Sequence, residues 1–87
     1  MSRYHVIWSR GAEARLAKMW NENPAIRSDL SEACRLIESA LARNPQGTGK
    51  AQSENSRVIT RPPLTVLYRV FPADSLVRVI WVKFWDD

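Results

Sequence analysis

Basic side chains able to bind or polarise a phosphate are concentrated in the last part of the sequence. Between Lys50 and Trp85, six basic residues stand against two acidic ones, Glu54 and Asp74, which gives a balance of +4, equal to the net charge of the whole chain. Such a concentration attracts phosphate groups and acidic protein segments alike. The six basic residues are Lys50, Arg57, Arg61, Arg69, Arg78 and Lys83.

Other reactive side chains form no comparable pattern. Cys34 is the only cysteine, which excludes an internal disulfide and a cysteine-based metal cage, and its neighbours predict a small core residue on a helix. His5 lies in a short apolar strand, where a structural histidine is expected. A phosphate-binding loop at residues 47–50 (GTGK) is excluded because a helix, not a strand, precedes it. We therefore predict no metal site and no cofactor.

The length and composition are those of one globular domain, covering residues 1–87. The chain is 45% hydrophobic and 25% charged, far from the composition of disordered proteins. Its longest mainly apolar run, residues 76–85, is interrupted by Arg78 and Lys83 and is too short to span a membrane. The first ten residues contain no apolar block typical of a signal peptide, so we expect a cytoplasmic protein.

Hydrophobic periodicity predicts one strand and two helices in the first half. The strand covers residues 4–8, and Ser9 is a suitable cap for a first helix with an apolar stripe. Asn23-Pro24 ends that helix and opens a second one, which stops near Arg43 before Asn44-Pro45. The stripe of the first helix comprises Ala12, Leu16, Met19 and Trp20.

The second half predicts three strands after a polar surface loop at residues 46–55. The strands cover residues 56–61, 64–71 and 76–84, and the last two form a hairpin around Pro72-Ala73-Asp74. The element order is therefore β-α-α-β-β-β. Two helices with apolar stripes must cover one face of the sheet, which predicts an α+β two-layer sandwich with an antiparallel sheet and both helices on one face.

This order of elements, the size and the segment PLTVLYRVFPADSLVRVIWV resemble the RelE/ParE superfamily of bacterial type II toxins. The likeness extends over nearly the whole chain. It includes an opening strand that ends in Trp8-Ser9, a second helix that ends in residues 41–45 (LARNP), a glycine-containing loop and the strand around residues 66–70 (VLYRV). The resemblance implies a growth-arresting toxin that a cognate antitoxin holds inactive.

Members of that superfamily act on different targets, and the resemblance leaves two of them open. Many cleave mRNA on the ribosome as metal-independent endoribonucleases, whereas others poison DNA gyrase. A third hypothesis is a toxin-like module that binds its protein partner without any catalysis.

If the chain is a ribonuclease, basic side chains on one sheet face must position the phosphate. Strand alternation puts Arg69 on the face away from the helices. We predict Arg69 and Lys83 as catalytic residues, and Arg57 and Arg61, which share one face of their own strand, as RNA-binding residues that flank Arg69. Arg78 shares a face with Ile80 and is predicted to lie at the margin of the helical layer.

The last strand is apolar on both faces, which predicts a second cover besides the helices. We interpret that uncovered face as a partner-binding surface that fits a segment of the antitoxin. A fuller internal core or a self-dimer is the alternative. The predicted partner-binding residues are Leu67, Phe71, Val79, Trp81 and Trp85.

The sequence also departs from the pattern of ribosome-dependent members. They usually carry an arginine where this chain has Thr65, and an arginine, histidine or tyrosine after the last strand. This chain instead ends in residues 83–87 (KFWDD), and its two aspartates would repel phosphate. Inhibition of gyrase and pure protein binding therefore remain alternatives to cleavage.

Overall fold

The computed structural model describes residues 3–86, which form two helices and five strands. Met1, Ser2 and Asp87 lie outside the described residues, so the predicted repulsion of phosphate by the last two aspartates falls partly outside them. Short 3-10 turns at Pro24–Ile26 and Pro72–Asp74 join the two helices and the last two strands. In chain order the elements are β1 (His5–Trp8), α1 (Arg10–Glu22), α2 (Arg27–Arg43), β2 (Lys50–Ala51), β3 (Ser56–Arg61), β4 (Leu64–Phe71) and β5 (Leu76–Phe84).

Both helices end where the sequence predicts, and α1 also begins there, whereas α2 begins at Arg27 after a 3-10 turn that Pro24 opens. Ser9 caps α1, because its Oγ accepts a hydrogen bond of 3.1 Å from the Ala12 N–H. Asn23 ends α1, and Asn44 ends α2 just before Pro45. Each helix buries one stripe against the sheet. The fully or nearly fully buried residues are Ala12 and Met19 on α1 and Leu30, Ala33, Ile37 and Leu41 on α2.

The sheet has the strand order β1-β5-β4-β3-β2 and is mixed. β5 pairs antiparallel with β4, but β1 pairs parallel with β5, so the prediction of a wholly antiparallel sheet is wrong for β1. No hairpin fixes the direction of β1, because α1 and α2 separate it from the next strand in the chain. The short strand β2 lies inside the predicted loop 46–55 and adds an edge next to β3.

The core lies between the helices and one sheet face, so the predicted α+β two-layer sandwich is confirmed. Leu64, Val66 and Tyr68 of β4 are fully buried there, as are Val77, Val79 and Val82 of β5. No described helix packs on the opposite face, which we call the open face. The open face carries His5 and Ile7 of β1, Lys50 of β2, Ser56, Val58 and Thr60 of β3, Thr65, Leu67, Arg69 and Phe71 of β4, and Leu76, Arg78, Trp81 and Lys83 of β5.

Candidate functional site

The strand registers arrange the side chains of the open face in four rows across the sheet. The first row is apolar apart from a histidine, the second contains two arginines, the third contains a tryptophan, and the fourth is polar. From the first to the fourth, the rows are His5, Leu76 and Phe71; Ile7, Arg78, Arg69 and Ser56; Trp81, Leu67, Val58 and Lys50; and Lys83, Thr65 and Thr60.

A β-bulge at Ile80 decides which residues of β5 reach the open face. Tyr68 of β4 pairs with Val79, but the next residue along, Leu67, pairs with Trp81, so Ile80 is the extra residue. Val79 and Val82 can therefore both point into the core, where each is 0% exposed. The prediction that Val79 binds a partner is wrong for this reason, whereas Trp81 does lie on the open face.

The same register corrects the position of Arg78. Its Cα partner on β4 is Arg69, and both side chains are exposed on the open face. The prediction that Arg78 lies at the margin of the helical layer is wrong, because the alternation of residues 76–79 cannot be continued past the bulge. Strict alternation along β5 makes both of its faces apolar, and this unusual pattern was the sequence signal of the bulge.

The first turn of α1 and Arg15 hold the bulged part of β5 in place. Beyond the end of β1, the Ser9 N–H donates to the Val79 carbonyl (2.8 Å) and the Ser9 hydroxyl to the Ile80 carbonyl (3.2 Å). Arg15 Nε donates to the Val82 carbonyl at 2.6 Å, and its guanidinium carbon lies 4.4 Å from the centroid of the Trp81 ring. Sequence reasoning did not identify Arg15 as a neighbour of the site.

The two predicted catalytic residues lie at different levels of the open face. Lys83 is opposite Thr65, whereas Arg69 is four residues further along the same strand β4. Four strand residues span about 13 Å, so the two side chains are better placed to contact different phosphates than the same one. Their catalytic role stays a prediction.

The predicted RNA-binding residues are on the other side of the sheet. Arg57 pairs with Tyr68 and Arg61 with Leu64, and both partners point into the core. The prediction that Arg57 and Arg61 flank Arg69 is therefore wrong. The short link Pro62-Pro63 could have predicted the face of Arg57 and Arg61. A two-residue link brings Arg61 directly opposite Leu64, which is a core residue.

Arg57 instead binds the loop that follows α2. Its Nε donates to the Thr48 carbonyl (2.9 Å) and its Nη2 to the Gly49 carbonyl (3.0 Å). Arg61 is exposed, and its Nη1 donates to the carbonyl of its neighbour Thr60 at 2.8 Å. Arg57 therefore stabilises the loop after α2, whereas the Arg61 side chain hydrogen-bonds to its own neighbour at the end of β3.

A shallow depression occupies the third and fourth rows of the open face. It has a volume of about 400 Å³, and its walls combine apolar side chains with hydroxyl, amide and ammonium groups. A planar ring with polar edges matches this lining in character. The lining residues are Gln52, Val58, Thr65, Leu67, Trp81 and Lys83.

Three of the predicted partner-binding residues are exposed aromatic side chains. Phe71 is 37% exposed, Trp81 is 46% exposed, and Trp85, just past the end of β5, is 54% exposed. Leu67 is half-buried between them on the open face. Exposure of this kind is compatible with a docking surface, and their role in binding stays a prediction.

A second apolar groove lies on the helical side of the molecule. It has a volume of about 820 Å³ and runs between β1, α1 and α2. Two glutamates, Glu13 and Glu38, line it, and so does Trp20 of the predicted apolar stripe, which is 37% exposed. The other lining residues are Ile7, Trp8, Leu16 and Ala17.

The single thiol lies away from the open face. Cys34 is half-buried against the core, and burial, reinforced by the negative charge of Glu38, raises its pKa to about 11. A thiol with this pKa is almost entirely protonated at neutral pH. Among residues 3–86, no cluster of histidine, cysteine and acidic side chains could hold a metal ion. No helix of that same segment is long and apolar enough to cross a membrane.

Solved structures with the same fold come from toxin–antitoxin complexes. A chain of the RelBE2 toxin–antitoxin complex from Mycobacterium tuberculosis aligns with a TM-score of 0.73 and 22% identity, covering 100% of this chain and 97% of that one. A chain of the chromosomal ParDE system from P. aeruginosa aligns with a TM-score of 0.71 and 16% identity, covering 93% and 95%. No family model matches the sequence, and no curated protein matches it. The predicted likeness to RelE/ParE toxins is thus confirmed for the fold, which is of the RelE/ParE type.

Proposed function

We propose that this protein is the toxin of a type II toxin–antitoxin module, that a cognate antitoxin holds it inactive, and that it arrests translation by acting on mRNA at the ribosome. The fold supports the class, since both neighbouring structures belong to toxin–antitoxin systems and align over nearly their whole length. The observation that carries the choice of target is the open face, where Arg69 and Arg78 are exposed, Lys83 is half-exposed, and none of the residues of the described strands β1 to β5 is acidic.

Cleavage of the bound mRNA is the finer part of this proposal. Arg69 would hold the RNA backbone, and Lys83, which lines the depression, would stabilise charge that develops on a phosphate oxygen. No metal ion is needed for these roles. The endoribonuclease activity accordingly depends on Lys83 more than on Arg57 or Arg61.

Inhibition of DNA gyrase is the second candidate function. It is favoured by the distance between Arg69 and Lys83 on the open face. Lys83 lies opposite Thr65, which is four residues from Arg69 along β4. A residue pair about 13 Å apart suits the binding of an extended polyanion or a protein surface better than proton transfer at one phosphate. Gyrase inhibition requires binding and no cleavage by the toxin.

The test is to add purified protein to a bacterial cell-free translation reaction and to map new RNA 5′ ends with and without ribosomes. We expect new ends only when ribosomes are present, and we expect Lys83→Gln to abolish them while Arg43→Gln, a matched loss of charge on α2, leaves them unchanged. If translation stops but the RNA stays intact, the protein binds mRNA without cleaving it and the proposed cleavage is refuted. Unaffected translation would refute this target, and a supercoiling assay with purified gyrase would then decide between the second candidate and a module that only binds its partner.

A further inference from the structure

Arg69 and Arg78 form a pair of like charges directly across two strands. Their Cα atoms are register partners on β4 and β5, a position in which side chains are about 5 Å apart at Cβ. Like charges placed directly opposite destabilise a sheet. The pair is held in this arrangement by the pairing of β4 and β5 and by the burial of the core residues on either side of it.

Nothing in the described chain neutralises the two arginines. Within residues 3–86, no carboxylate lies within salt-bridge distance of either guanidinium, and both side chains are exposed. Most acidic residues of the chain lie on the helices, in the other layer, where Glu32 pairs with Arg35. The repulsion between the two guanidinium groups would be relieved by an anion that presents several oxygen atoms, and the guanidinium group matches phosphate in geometry.

The neighbouring row of the open face provides room for the rest of a nucleotide. The depression begins at Trp81 and Leu67, two strand residues or about 7 Å from the arginine row. That distance is comparable with the separation of a phosphate from the base of the same nucleotide. The apolar side chains Trp81, Leu67 and Val58 can contact the faces of a base, and Thr65 and Gln52 can contact its polar edge.

We infer that the Arg69–Arg78 pair binds one phosphodiester of a single-stranded RNA and that the depression beside it receives the adjoining unstacked base. This inference rests on the proposed action on mRNA and adds Arg78 and the depression to it. An acidic protein segment would also be attracted by two arginines, but the hydroxyl, amide and ammonium groups in the lining of the depression match the polar edge of a base better than an apolar side chain. The pair is thus the positioning device for the substrate, about 13 Å from Lys83 along the strands.

The test is the affinity of the intact protein for a short, unstructured, fluorescently labelled oligouridylate, measured by anisotropy over a range of salt concentrations. We expect Arg69→Gln and Arg78→Gln each to weaken binding about 10-fold, because hydrogen bonds to charged groups are lost. Each variant should also reduce the slope of log affinity against log salt by about 0.7, the value for one phosphate contact on a single strand. Arg78→Lys should restore only part of the affinity, because an ammonium group lacks the guanidinium fork.

The matched control is Arg43→Gln, which removes the same charge from the end of α2. If Arg78→Gln weakens binding no more than Arg43→Gln does, the phosphate site is refuted. Inorganic polyphosphate tests the base, since it offers phosphates alone: it should bind at least 10-fold more weakly per site than the RNA, and equal affinity would refute the role of the depression. If polyglutamate at equal concentration displaces the RNA, the ligand of the arginine pair is an acidic protein segment and not a nucleic acid.

The same variants separate this inference from the proposed function. Wild-type protein that leaves translation intact, yet binds RNA through Arg78, would refute the proposed function and support the phosphate site. Variants that bind RNA normally while the wild type arrests translation would refute the site and the role of Arg69 in holding the RNA backbone, but would leave the action on mRNA at the ribosome standing. Unchanged thermal unfolding of each variant shows that a loss of binding is not a loss of fold.

Discussion

At the scale of single residues, Tyr68 connects the sheet to the loop that follows α2. Its ring is fully buried on the helical face of β4, and its hydroxyl lies 2.8 Å from the Pro45 carbonyl and 2.6 Å from the Thr48 carbonyl, both of which are acceptors. Gly49 closes the same loop with φ of +71°, and a side chain there would come within 2.3 Å of the Val58 carbonyl oxygen. The loop is therefore attached to the sheet at several points.

We predict that Tyr68→Phe lowers the free energy of unfolding by about 1–3 kcal/mol at pH 7, because the hydroxyl proton that the Pro45 and Thr48 carbonyl groups share is lost and only Thr48 keeps another donor, Arg57 Nε. Burial raises the pKa of Tyr68. Since the pKa is higher in the folded than in the unfolded protein, the stability that this residue contributes is present below about pH 10 and is lost as the pH rises towards the folded-state value. Urea unfolding at neutral and alkaline pH measures both effects. A variant with wild-type stability and the same alkaline decline would contradict them.

Arg57 should contribute to stability and not to RNA binding. We predict that Arg57→Gln costs about 1–2 kcal/mol, because the Thr48 and Gly49 carbonyl groups lose charged donors. Arg61→Gln, a matched loss of charge on the same strand, should change stability by less than about 0.5 kcal/mol. Urea unfolding and RNA anisotropy on both variants provide the measurement. Normal stability with weakened RNA binding in Arg57→Gln would restore the RNA-binding role predicted from the sequence.

The face on which Arg57 lies shows what strand alternation can and cannot predict. Alternation correctly placed Arg57 and Arg61 together on one face of β3, and Arg69 on the face of β4 away from the helices. The relation between the two strands depends on the turn, because a register shift by one residue exchanges the faces. The length of the two-residue link sets the pairing of Arg61 with Leu64, and the sequence of either strand alone does not predict it.

At the scale of the elements, the bulge in β5 and the start of α1 form one unit. The Ser9 hydroxyl accepts from the Ala12 N–H and also lies within donating distance of the Ile80 carbonyl, so one side chain caps the helix and satisfies the bulge. Beyond the end of β1 no described strand pairs with this edge of β5, and the Ile80 and Val82 carbonyl groups accept from Ser9 and Arg15 instead. The order of side chains on the open face therefore depends on Ser9.

We predict that Ser9→Ala lowers the free energy of unfolding by about 1–2 kcal/mol, the usual cost of losing a serine cap. The loss should also weaken RNA binding, because Trp81 and Lys83 follow the bulge. Ser9→Thr is the matched control, since it keeps the hydroxyl group, and it should behave as the wild type. Urea unfolding and anisotropy measure the two effects. A stability within about 0.5 kcal/mol of the wild type would show that the bulge does not need this hydroxyl group.

The elements themselves were largely predictable, and their exceptions have physical causes. Helical periodicity and the Asn-Pro pairs located both helices, because these signals are local. The bulge was not predicted, since it removes the very alternation from which strand faces are assigned. The parallel pairing of β1 was missed because it joins residues about 70 positions apart in sequence, and no tight turn connects the two strands.

At the scale of the whole molecule, two apolar surfaces with opposite electrostatic character are available to a protein partner. The open face combines the exposed rings of Phe71 and Trp81 with the arginine pair. The groove between the helices and β1 is lined by two acidic residues, Glu13 and Glu38. A proposed antitoxin segment rich in acidic residues would be attracted to the open face and repelled by these two glutamates. Such a segment would also cover the residues that we propose contact RNA.

If an antitoxin holds the protein inactive, as we propose, this charge distribution predicts that it does so by competing directly with RNA for the open face. We predict that Trp81→Ala weakens binding of the proposed antitoxin by at least about 10-fold, as expected for a central aromatic anchor, whereas Trp20→Ala, an equal truncation in the groove, changes it by less than about 3-fold. Calorimetric titration of both variants measures this, and bound antitoxin should displace the labelled RNA from the wild type. If Trp20→Ala carries the loss instead, the antitoxin occupies the helical groove. Neutralisation would then have to act through the shared element α1, whose Arg15 contacts both Trp81 and the Val82 carbonyl, and not by covering the open face.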